Sequence, residues 1–307
     1  MTLKDKLEIV VITYNRCLLL KDTLNSLLGS CFAQCRITIL DNKSTDNTIE
    51  IAGEFLPLFS DLQIITNKLN IGADANILRA IEISSAEYLW VLCDDDFYDF
   101  SNTQDVEQRI VEGEVELIHM GAHEEDSWDF GGRIDTPKNL MFEGYPYFKA
   151  SSFVPNNLFK RSLFPNFMID GYRNIINMYP HMPFLFSFFT NNFQIYIANN
   201  RIVRAGIGQQ GYGLMNWMEG WINTSLLLSP TENARACFFD QFPRKGKLNR
   251  IRVTYQVFFG VIKKRYYYRT FRKLWNLLCF SDKVLFVVGF LGYILFKCLF
   301  PRSEVKN

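Results

Sequence analysis

Residues 88–100 read YLWVLCDDDFYDF, an apolar run that ends in three consecutive aspartates, with a fourth aspartate at position 99. Apolar residues up to Cys93 are typical of a strand buried in a sheet. Carboxylates that follow such a strand are costly to leave unpaired, because they repel one another and are partly desolvated. A solvated acidic loop is one alternative. A bound cation would relieve both costs, and oxygen ligands favour Mg²⁺ or Mn²⁺ over zinc.

The chain before this stretch alternates between strand and helix patterns. Residues 8–14, EIVVITY, form a β-branched run typical of a parallel strand buried on both faces. Leucines at helical spacing follow it and stop at Gly29. The patterns predict further strands at 36–40, 63–66 and 87–93, and helices at 18–28, 48–55 and 73–83. Repeated units of this kind predict an α/β fold with a mainly parallel, doubly wound sheet.

Polar residues follow the predicted strands, where doubly wound sheets bind ligands. Each of them alone could be a helix cap or a turn residue. Their recurrence at the same end of successive strands favours one shared ligand crevice. The residues are Thr13, Asn15 and Arg16 after the first strand, Asp41 and Asn42 after the second, Asn67 and Asn70 near the third, and Asp94, Asp95 and Asp96 after the fourth.

Regular alternation is lost beyond residue 100. The sequence predicts a charged helix at 104–116, a strand at 117–120, an apolar helix from about Pro183 and a hairpin at 193–205. Glycines in GIGQQGYG, residues 206–213, do not lie between a strand and a helix, as a dinucleotide-binding fingerprint requires.

Charge divides the chain into an acidic body and a basic tail. Residues 244–307 contain 15 Lys and Arg against 2 Asp and Glu, whereas residues 1–243 contain 18 against 30. We therefore predict a body at 1–243, with a ligand-binding half at 1–100 and a second half at 101–243, and a helical tail at 244–307. A basic tail is expected to meet an anionic partner, either phospholipid or nucleic acid.

The tail favours phospholipid over nucleic acid. Residues 263–275, KKRYYYRTFRKLW, interleave cations and aromatic rings, a mixture suited to the lipid interface. Residues 284–300 are 17 residues with one charge, Lys297. A spanning helix needs about 20 apolar residues. We predict a helix that lies in or dips into the interface, with a full crossing and a buried core helix as alternatives.

Cysteine usage and the N-terminal sequence indicate a reducing compartment. Seven cysteines, an odd number, are set mostly among apolar residues without paired metal-ligand spacing. Residues 1–15 pass from charged residues directly into a short strand, so we expect no signal peptide.

Four segments together resemble the nucleotide-sugar half of a family 2 glycosyltransferase with the A-type fold. They are IVVITYNR at 9–16, LDNKSTDNT at 40–48, NKLNIGADANILRA at 67–80 and LCDDDFY at 92–98. The resemblance is strong over about the first 100 residues and weaker over 150–190. Within the family, the chain most resembles bacterial enzymes that extend lipid-linked O-antigen or other polysaccharide units, the abequosyltransferase-like branch.

The resemblance implies roles for the residues at the strand ends. Asp96 would ligate Mn²⁺ or Mg²⁺, and Asp94 would bind the ribose or the metal. Alignment on the last two aspartates would instead give Asp95 the metal role, because the family more often has Asp where this chain has Cys93. Asp41 would accept a hydrogen bond from the pyrimidine ring. The resemblance assigns nucleotide-sugar binding to Thr13, Asn15, Arg16, Asp41, Asn70, Asn76, Asp94 and Asp95.

An inverting transfer also needs a general base for the acceptor hydroxyl. The family usually supplies it from an acidic pair at a helix start in the region that matches 165–185, and this chain has no such pair there. His181 and Asp170 are the two candidates. A lone histidine is more often structural, and both roles stay open for His181.

The implied activity is sugar transfer from a nucleoside diphosphate-sugar to a hydroxyl of a polyprenyl-diphosphate-linked saccharide. The implied location is the cytoplasmic face of a bacterial inner membrane. Two rivals remain. One is a prenyl-diphosphate enzyme using Asp95, Asp96 and Asp99, which requires an all-helical fold. The other is a non-catalytic, membrane-associated nucleotide-binding protein.

Overall fold

The computed structural model describes residues 1–121, 130–206, 214–242, 247–263 and 268–299. The chain divides into two compact units, Met1–Gly211 and Tyr212–Asn307. This division lies earlier in the chain than the predicted boundary at 243. The reason is that two helices before residue 243 pack with a helix of the basic segment, as described below.

The first hundred residues alternate between strands and helices as predicted, and each predicted bound differs from the observed one by at most one residue, whereas the short helix α1 was not predicted. The elements are α1 (Leu3–Lys6), β1 (Leu7–Thr13), α2 (Cys17–Leu28), β2 (Arg36–Asp41), α3 (Thr48–Glu54), β3 (Leu62–Thr66), α4 (Ala73–Ile83) and β4 (Tyr88–Cys93). Every residue of β1 is buried, because helices cover both faces of a parallel sheet. Helix α2 buries Leu20, Leu24 and Leu27, one apolar stripe at helical spacing.

The rest of the first unit does not repeat the regular strand and helix alternation. They are β5 (Phe97–Tyr98), α5 (Gln104–Glu112), β6 (Leu117–His119), β7 (Ile134–Asp135), α6 (Pro137–Glu143), α7 (Tyr147–Ser152), β8 (Asn157–Lys160), α8 (Met168–Arg173), α9 (Met182–Asn191), β9 (Ile195–Ile197) and β10 (Val203–Arg204). Helix α5 ends earlier than predicted because Gly113 adopts a left-handed conformation and caps it.

The described strands form an eight-stranded sheet, in the order β3-β2-β1-β4-β8-β6-β9-β7, and a separate pair, β10-β5. Strands β3, β2, β1 and β4 are parallel, and β6 is parallel to β9. Strand β8 is antiparallel to both β4 and β6, and β7 is antiparallel to β9. The predicted mainly parallel sheet is therefore correct for its first four strands, and the whole sheet is mixed.

The predicted hairpin at 193–205 is wrong. Strand β9 pairs with β6 and β7, whereas β10 pairs with β5 in the other sheet. Backbone groups between the two strands bond elsewhere. The Asn199 N–H donates to the Asp105 carboxylate at 2.8 Å, and the Ile202 N–H donates to the Met120 carbonyl at 2.8 Å.

The second unit is helical in its described part. Its helices are α10 (Leu214–Ser225), α11 (Thr231–Asp240), α12 (Lys247–Lys263), α13 (Tyr268–Leu277) and α14 (Phe280–Leu299). Trp221 on α10 is fully buried and donates its Nε1–H to the Phe238 carbonyl on α11 at 3.2 Å. Arg235 on α11 donates to the carbonyl of Leu277 on α13. Helices α10 and α11 thus belong with the basic segment.

Helix α14 exposes large apolar side chains. Arg250 of α12 makes a two-point ion pair with Asp282 at 2.8 and 3.0 Å, which attaches the start of α14 to α12. On the part of α14 whose side chains are described, residues 280–292, the exposed large apolar residues are Phe280, Val284, Leu285, Val287, Val288 and Leu291. Among the described residues, no helix is both long and apolar enough to cross a membrane. Residues 264–267 and 300 of the predicted membrane-binding segments lie outside the described residues.

Candidate active site

The candidate site lies at the carboxyl edge of the parallel strands. In the sheet register Thr13 of β1 lies opposite Asp41 of β2, and Ile12 lies opposite Cys93 of β4. The strands therefore end side by side, and the loops that follow them meet. This alignment brings residues together that are about 80 positions apart in the chain, such as Thr13 and Asp94.

Both oxygens of the buried Asp94 carboxylate have partners. The Thr13 hydroxyl donates to Oδ2 at 2.6 Å, and Arg16 Nη1 donates to Oδ1 at 3.0 Å. Thr23 on α2 donates to the Asp94 backbone carbonyl at 3.2 Å. Burial raises the pKa of Asp94 to about 6, although the bonds from Thr13 and Arg16 oppose that rise. The carboxylate is thus held in place by β1 and its loop.

Asp95 and Asp96 have different surroundings. The Oδ2 atom of Asp95 lies 2.7 Å from Arg16 Nη1. Asp96 accepts a hydrogen bond from the Gly206 N–H at 2.9 Å, just after β10. Burial raises the pKa of Asp96 to about 7, and the neighbouring carboxylates add to the effect. Burial, together with the proximity of Asp94 and Asp95, therefore makes the charged form of Asp96 costly in the absence of a cation.

One group of side chains could hold a metal ion. Single ligand atoms from Cys93, Asp95 and Asp96 all lie within 4.8 Å of one another. Carboxylate oxygens suit Mg²⁺ or Mn²⁺, and a thiol does not. Burial holds the pKa of the Cys93 thiol well above its usual value, which keeps it protonated. Asp95 and Asp96 thus fit the ion. Asp94, predicted as a metal ligand with Asp96, points its oxygens at Thr13 and Arg16.

A network of amides, buried at Asn42, Asn67 and Asn76 and exposed at Asn70, forms part of the wall of the first cavity described below. The Asn42 Nδ2 donates to Asn70 Oδ1 at 2.9 Å, and Asn42 Oδ1 accepts from Asn67 Nδ2 at 2.9 Å. Asn67 Nδ2 also donates to Asn76 Oδ1 at 2.7 Å. Asn42 additionally accepts a hydrogen bond from the Ile71 N–H. The amides join the ends of β2 and β3 to the start of α4 and fix that wall.

Two cavities share the wall formed by Arg16, Asp94 and Asp95. The first, about 420 Å³, has as its polar lining residues Thr13, Arg16, Asn42, Asn70, Asn76, Asp94 and Asp95. The second, about 580 Å³, is lined by residues that include Asn15, Arg16, Asp22, Asp94, Asp95, Asp96 and Arg204. Six of the predicted nucleotide-sugar residues therefore line the first cavity, and Asn15 lines the second.

Asp41 and Asn15 have structural contacts. Asp41 is fully buried, and both of its oxygens accept from the Ser44 N–H at 3.1 and 3.2 Å. Asn42, the next residue, lines the first cavity in its place. Asn15, at φ 51°, accepts a hydrogen bond from the Thr45 N–H at 2.7 Å. These two residues hold the turn after β2 against the loop after β1.

The two predicted general bases differ in accessibility. His181 is 1% exposed at the start of α9, and its Nε2 lies 3.2 and 3.1 Å from the carbonyls of Ser151 and Ser152. Burial lowers the pKa of His181 to about 4. Asp170 on α8 is exposed and pairs with Arg173 at 3.2 Å. Neither is among the described residues that line the two cavities.

The geometry does not support His181 as the base in this conformation. Nε2 faces two carbonyls and must carry the proton, so only Nδ1 could accept one. That atom is buried and has no hydrogen-bond partner among the described residues. An acceptor hydroxyl would reach it only if the surrounding residues moved.

Comparison with known proteins identifies the family. The sequence profile of the glycosyl transferase family 2 matches residues 8–170, more than half of the chain. The chain belongs to that family. The family 2 resemblance predicted from the four segments is thereby confirmed, whereas the abequosyltransferase-like branch stays a prediction.

Sequence similarity to a curated family relative is limited in extent. The chain is 30% identical over 94 residues to a protein of Mycoplasma genitalium named as the uncharacterized glycosyltransferase MG025. The match covers 29% of this chain and 31% of that protein. The chain thus spans about a third of the curated relative that it matches.

Solved structures share the fold. TarS residues 1–349 from S. aureus, in complex with UDP-GlcNAc, align with a TM-score of 0.59 at 15% identity, over 77% of this chain and 73% of that one. The mannosyltransferase PcManGT from Pyrobaculum calidifontis, in complex with GDP-Man and Mn²⁺, aligns with a TM-score of 0.53 at 11% identity, over 94% and 80%. This family 2 chain therefore has a mixed α/β fold of the A-type glycosyltransferase kind.

Sequence reasoning missed several residues that shape this family 2 site. Gly206 supports Asp96 from a distant part of the chain, and Thr23 supports the Asp94 backbone from α2. Asn42 was predicted to lie at the shared crevice, but the resemblance assigned it no nucleotide-sugar role. Its position directly after a strand-end carboxylate was the available signal. No local signal marks Gly206, because its role depends on the pairing of β10 with β5.

Proposed function

We propose that this protein transfers a sugar from a nucleoside diphosphate-sugar to an acceptor hydroxyl, with inversion at the anomeric carbon. The observation that supports this most is the group of carboxylates after β4, which lies between two cavities next to Arg16. Two related folds carry donors of this class, UDP-GlcNAc in TarS and GDP-Man in PcManGT.

The residues at the site suit the parts of such a donor. The first cavity offers the Asn42 and Asn70 amides to the nucleoside. Arg16 offers a guanidinium to the diphosphate. Asp95 and Asp96 would hold Mn²⁺ or Mg²⁺, and a bound divalent ion supplies Lewis-acid stabilisation of the leaving diphosphate. Asp170 is the accessible candidate for the general base.

Measurement of the Tm with and without nucleotide and metal tests this function directly. We expect Mn²⁺ together with UDP or GDP to raise the Tm of the full-length protein, and the donor UDP-GlcNAc or GDP-Man to be hydrolysed slowly. Asp96→Ala should abolish both effects because it removes a metal ligand. Asp61→Ala, at the opposite edge of the sheet where Asp61 pairs with Arg36, is the matched control. Nucleotide binding without any hydrolysis or transfer would favour the non-catalytic rival.

The prenyl-diphosphate rival does not fit the fold. Asp95 and Asp96 follow a strand, and Asp99 follows the short strand β5. The mechanism would require these aspartates on one face of a long helix. Here they follow strands of two sheets, β4 in the eight-stranded sheet and β5 in the two-stranded one.

We further infer that the acceptor is a lipid-linked saccharide in bacterial surface polysaccharide or O-antigen synthesis, at the cytoplasmic face of the inner membrane. Exposed apolar residues of α14, such as Val287 and Val288, support this acceptor class because they suit insertion at a lipid interface. The basic residues of 244–307 would add attraction to anionic headgroups, about 1 kcal/mol for each residue at the surface.

Vesicle flotation tests the membrane proposal. Full-length protein should float with vesicles that contain phosphatidylglycerol, and the double variant Val287→Asp, Val288→Asp should remain in the aqueous fraction. Ile176→Asp is the matched control, because Ile176 is an exposed apolar residue of the first unit. Equal flotation of all three proteins, or no flotation of the wild type, would contradict an α14 lipid contact.

A further inference from the structure

Arg16 occupies an unusual position between the two cavities. A single nitrogen, Nη1, lies 3.0 Å from Asp94 Oδ1 and 2.7 Å from Asp95 Oδ2. The Arg16 side chain is 39% exposed and lines both cavities. One guanidinium therefore neutralises two of the three neighbouring carboxylates that follow β4.

The backbone of Arg16 is fixed, and the side chain is long enough to move. Its N–H donates to Thr48 Oγ1 at 3.1 Å, and its carbonyl accepts from the Leu20 N–H at 2.9 Å as α2 begins. Asp94 does not depend on Arg16 alone, because Thr13 holds its other oxygen. Asp95 is different. Among the described residues it forms an ion pair with Arg16 alone, and it also belongs to the group that could bind a metal.

We propose that Arg16 competes with the divalent ion for Asp95, and that it transfers to the diphosphate of the donor when the ion binds. The inference rests on the proposed function, since it presumes a metal and a diphosphate at this site. A guanidinium and a divalent ion on one carboxylate repel each other, so binding of the ion releases the guanidinium. The planar fork of arginine matches phosphate oxygens, and the released side chain already borders both cavities.

The competition predicts that removing the charge of Arg16 changes the affinity for Mn²⁺ and the affinity for the nucleotide in opposite directions. Arg16→Gln should tighten Mn²⁺ binding by the nucleotide-free protein about fivefold, the equivalent of about 1 kcal/mol for a half-exposed ion pair. The same variant should weaken UDP or GDP binding in saturating Mn²⁺, because the diphosphate loses its cation. If Arg16 made only a structural ion pair, its substitution would not change the affinities for Mn²⁺ and for nucleotide in opposite directions.

Free Mn²⁺ can be measured by electron paramagnetic resonance and nucleotide binding by calorimetry, both on the full-length protein. Arg16→Met, which has a similar length and no charge, should behave as Arg16→Gln does and guards against a folding defect in one variant. Arg36→Gln is the matched control. Arg36 is 43% exposed and pairs with Asp61 at 3.2 Å at the opposite edge of the sheet. We expect its substitution to change neither affinity.

Opposite shifts in both Arg16 variants support the competition. Unchanged or weaker Mn²⁺ binding in folded Arg16→Gln and Arg16→Met would overturn it, even if the wild type binds both ligands. If the wild-type protein binds neither Mn²⁺ nor UDP nor GDP, the proposed function fails and this inference fails with it.

Discussion

At the scale of single residues, Asp96 makes folding stability depend on pH. Its pKa is about 7 in the folded protein and 3.8 in the unfolded reference, mainly because of burial. The folded state therefore holds this proton more tightly than the unfolded chain does. The resulting stabilisation is complete below the lower value and is lost as pH rises through the higher one.

We predict that the Tm of metal-free wild-type protein falls, relative to Asp96→Asn, between about pH 4 and about pH 7. Added Mn²⁺ should raise the wild-type Tm most at the upper end of this range, since the ion needs the charged carboxylate. Differential scanning fluorimetry of both proteins, with and without Mn²⁺, measures this. Parallel curves for the two proteins would show that Asp96 does not carry the effect.

His181 provides a second prediction at this scale. Because Nε2 bonds to two carbonyls in the core, His181→Ala should lower the free energy of unfolding by about 1–3 kcal/mol. Nucleotide affinity should be unchanged. Denaturant unfolding and UDP or GDP titration measure the two quantities.

Asp170→Asn is the informative partner for that experiment. Asp170 is exposed, so its substitution should leave stability nearly unchanged. If Asp170 is the base, transfer should fall by about 10²- to 10⁴-fold. A comparable loss in a His181→Gln variant of normal stability would instead restore His181 to the catalytic role.

At the scale of elements, the pairing of β10 with β5 fixes the candidate metal-binding carboxylates, Asp95 and Asp96. The chain leaves β10 and passes so close to β4 that a Cβ on Gly206 would overlap the Asp95 carbonyl oxygen. Gly206 also donates to Asp96. Only a residue without a side chain fits there, so the end of β10 determines where the two carboxylates lie.

We predict that Gly206→Ala weakens Mn²⁺ binding by about 10- to 100-fold, the usual cost of disturbing a hydrogen-bond partner of a metal ligand. Gly53→Ala on α3 is the control, because no atom lies within 4 Å of a Cβ there. Electron paramagnetic resonance measures the affinity. If Gly206→Ala binds Mn²⁺ as tightly as the wild type does, the loop after β10 relaxes freely and β10 does not position the two carboxylates.

At the scale of the whole molecule, the position of the division predicts how truncated chains behave. Helices α10 and α11 make hydrogen bonds to α13, including Lys273 to Asn223 and Arg235 to Leu277. A chain that ends at 243 keeps α10 and α11 without α13. A chain that ends at 211 removes the second unit entirely.

We predict that residues 1–211 unfold cooperatively and retain nucleotide binding, whereas residues 1–243 bind the dye ANS and aggregate on heating. Thermal unfolding, ANS fluorescence and UDP or GDP titration distinguish the two. If residues 1–243 prove the more stable and the less dye-binding chain, α10 and α11 do not depend on α13.

The sequence by itself determined the strand and helix alternation of residues 1–100 and the edge at which the site forms. Both follow from local periodicity, since burial on two faces requires continuous apolar runs and polar loops follow each strand. It also determined Thr13, Arg16, Asn70, Asp94 and Asp95 as neighbours. Parallel strands of similar length end together, so their loops must meet.

Only the tertiary structure decided the mixed second half of the sheet, the support of Asp96 by Gly206 and the burial of His181. Strands of two to four residues carry too little pattern to show their partners, as β9 and β10 demonstrate. The surroundings of His181 are set by α7, about 30 residues earlier in the chain. The local sequence indicates which residues favour burial and which favour solvent. The long-range packing of the chain decides which of them are in contact.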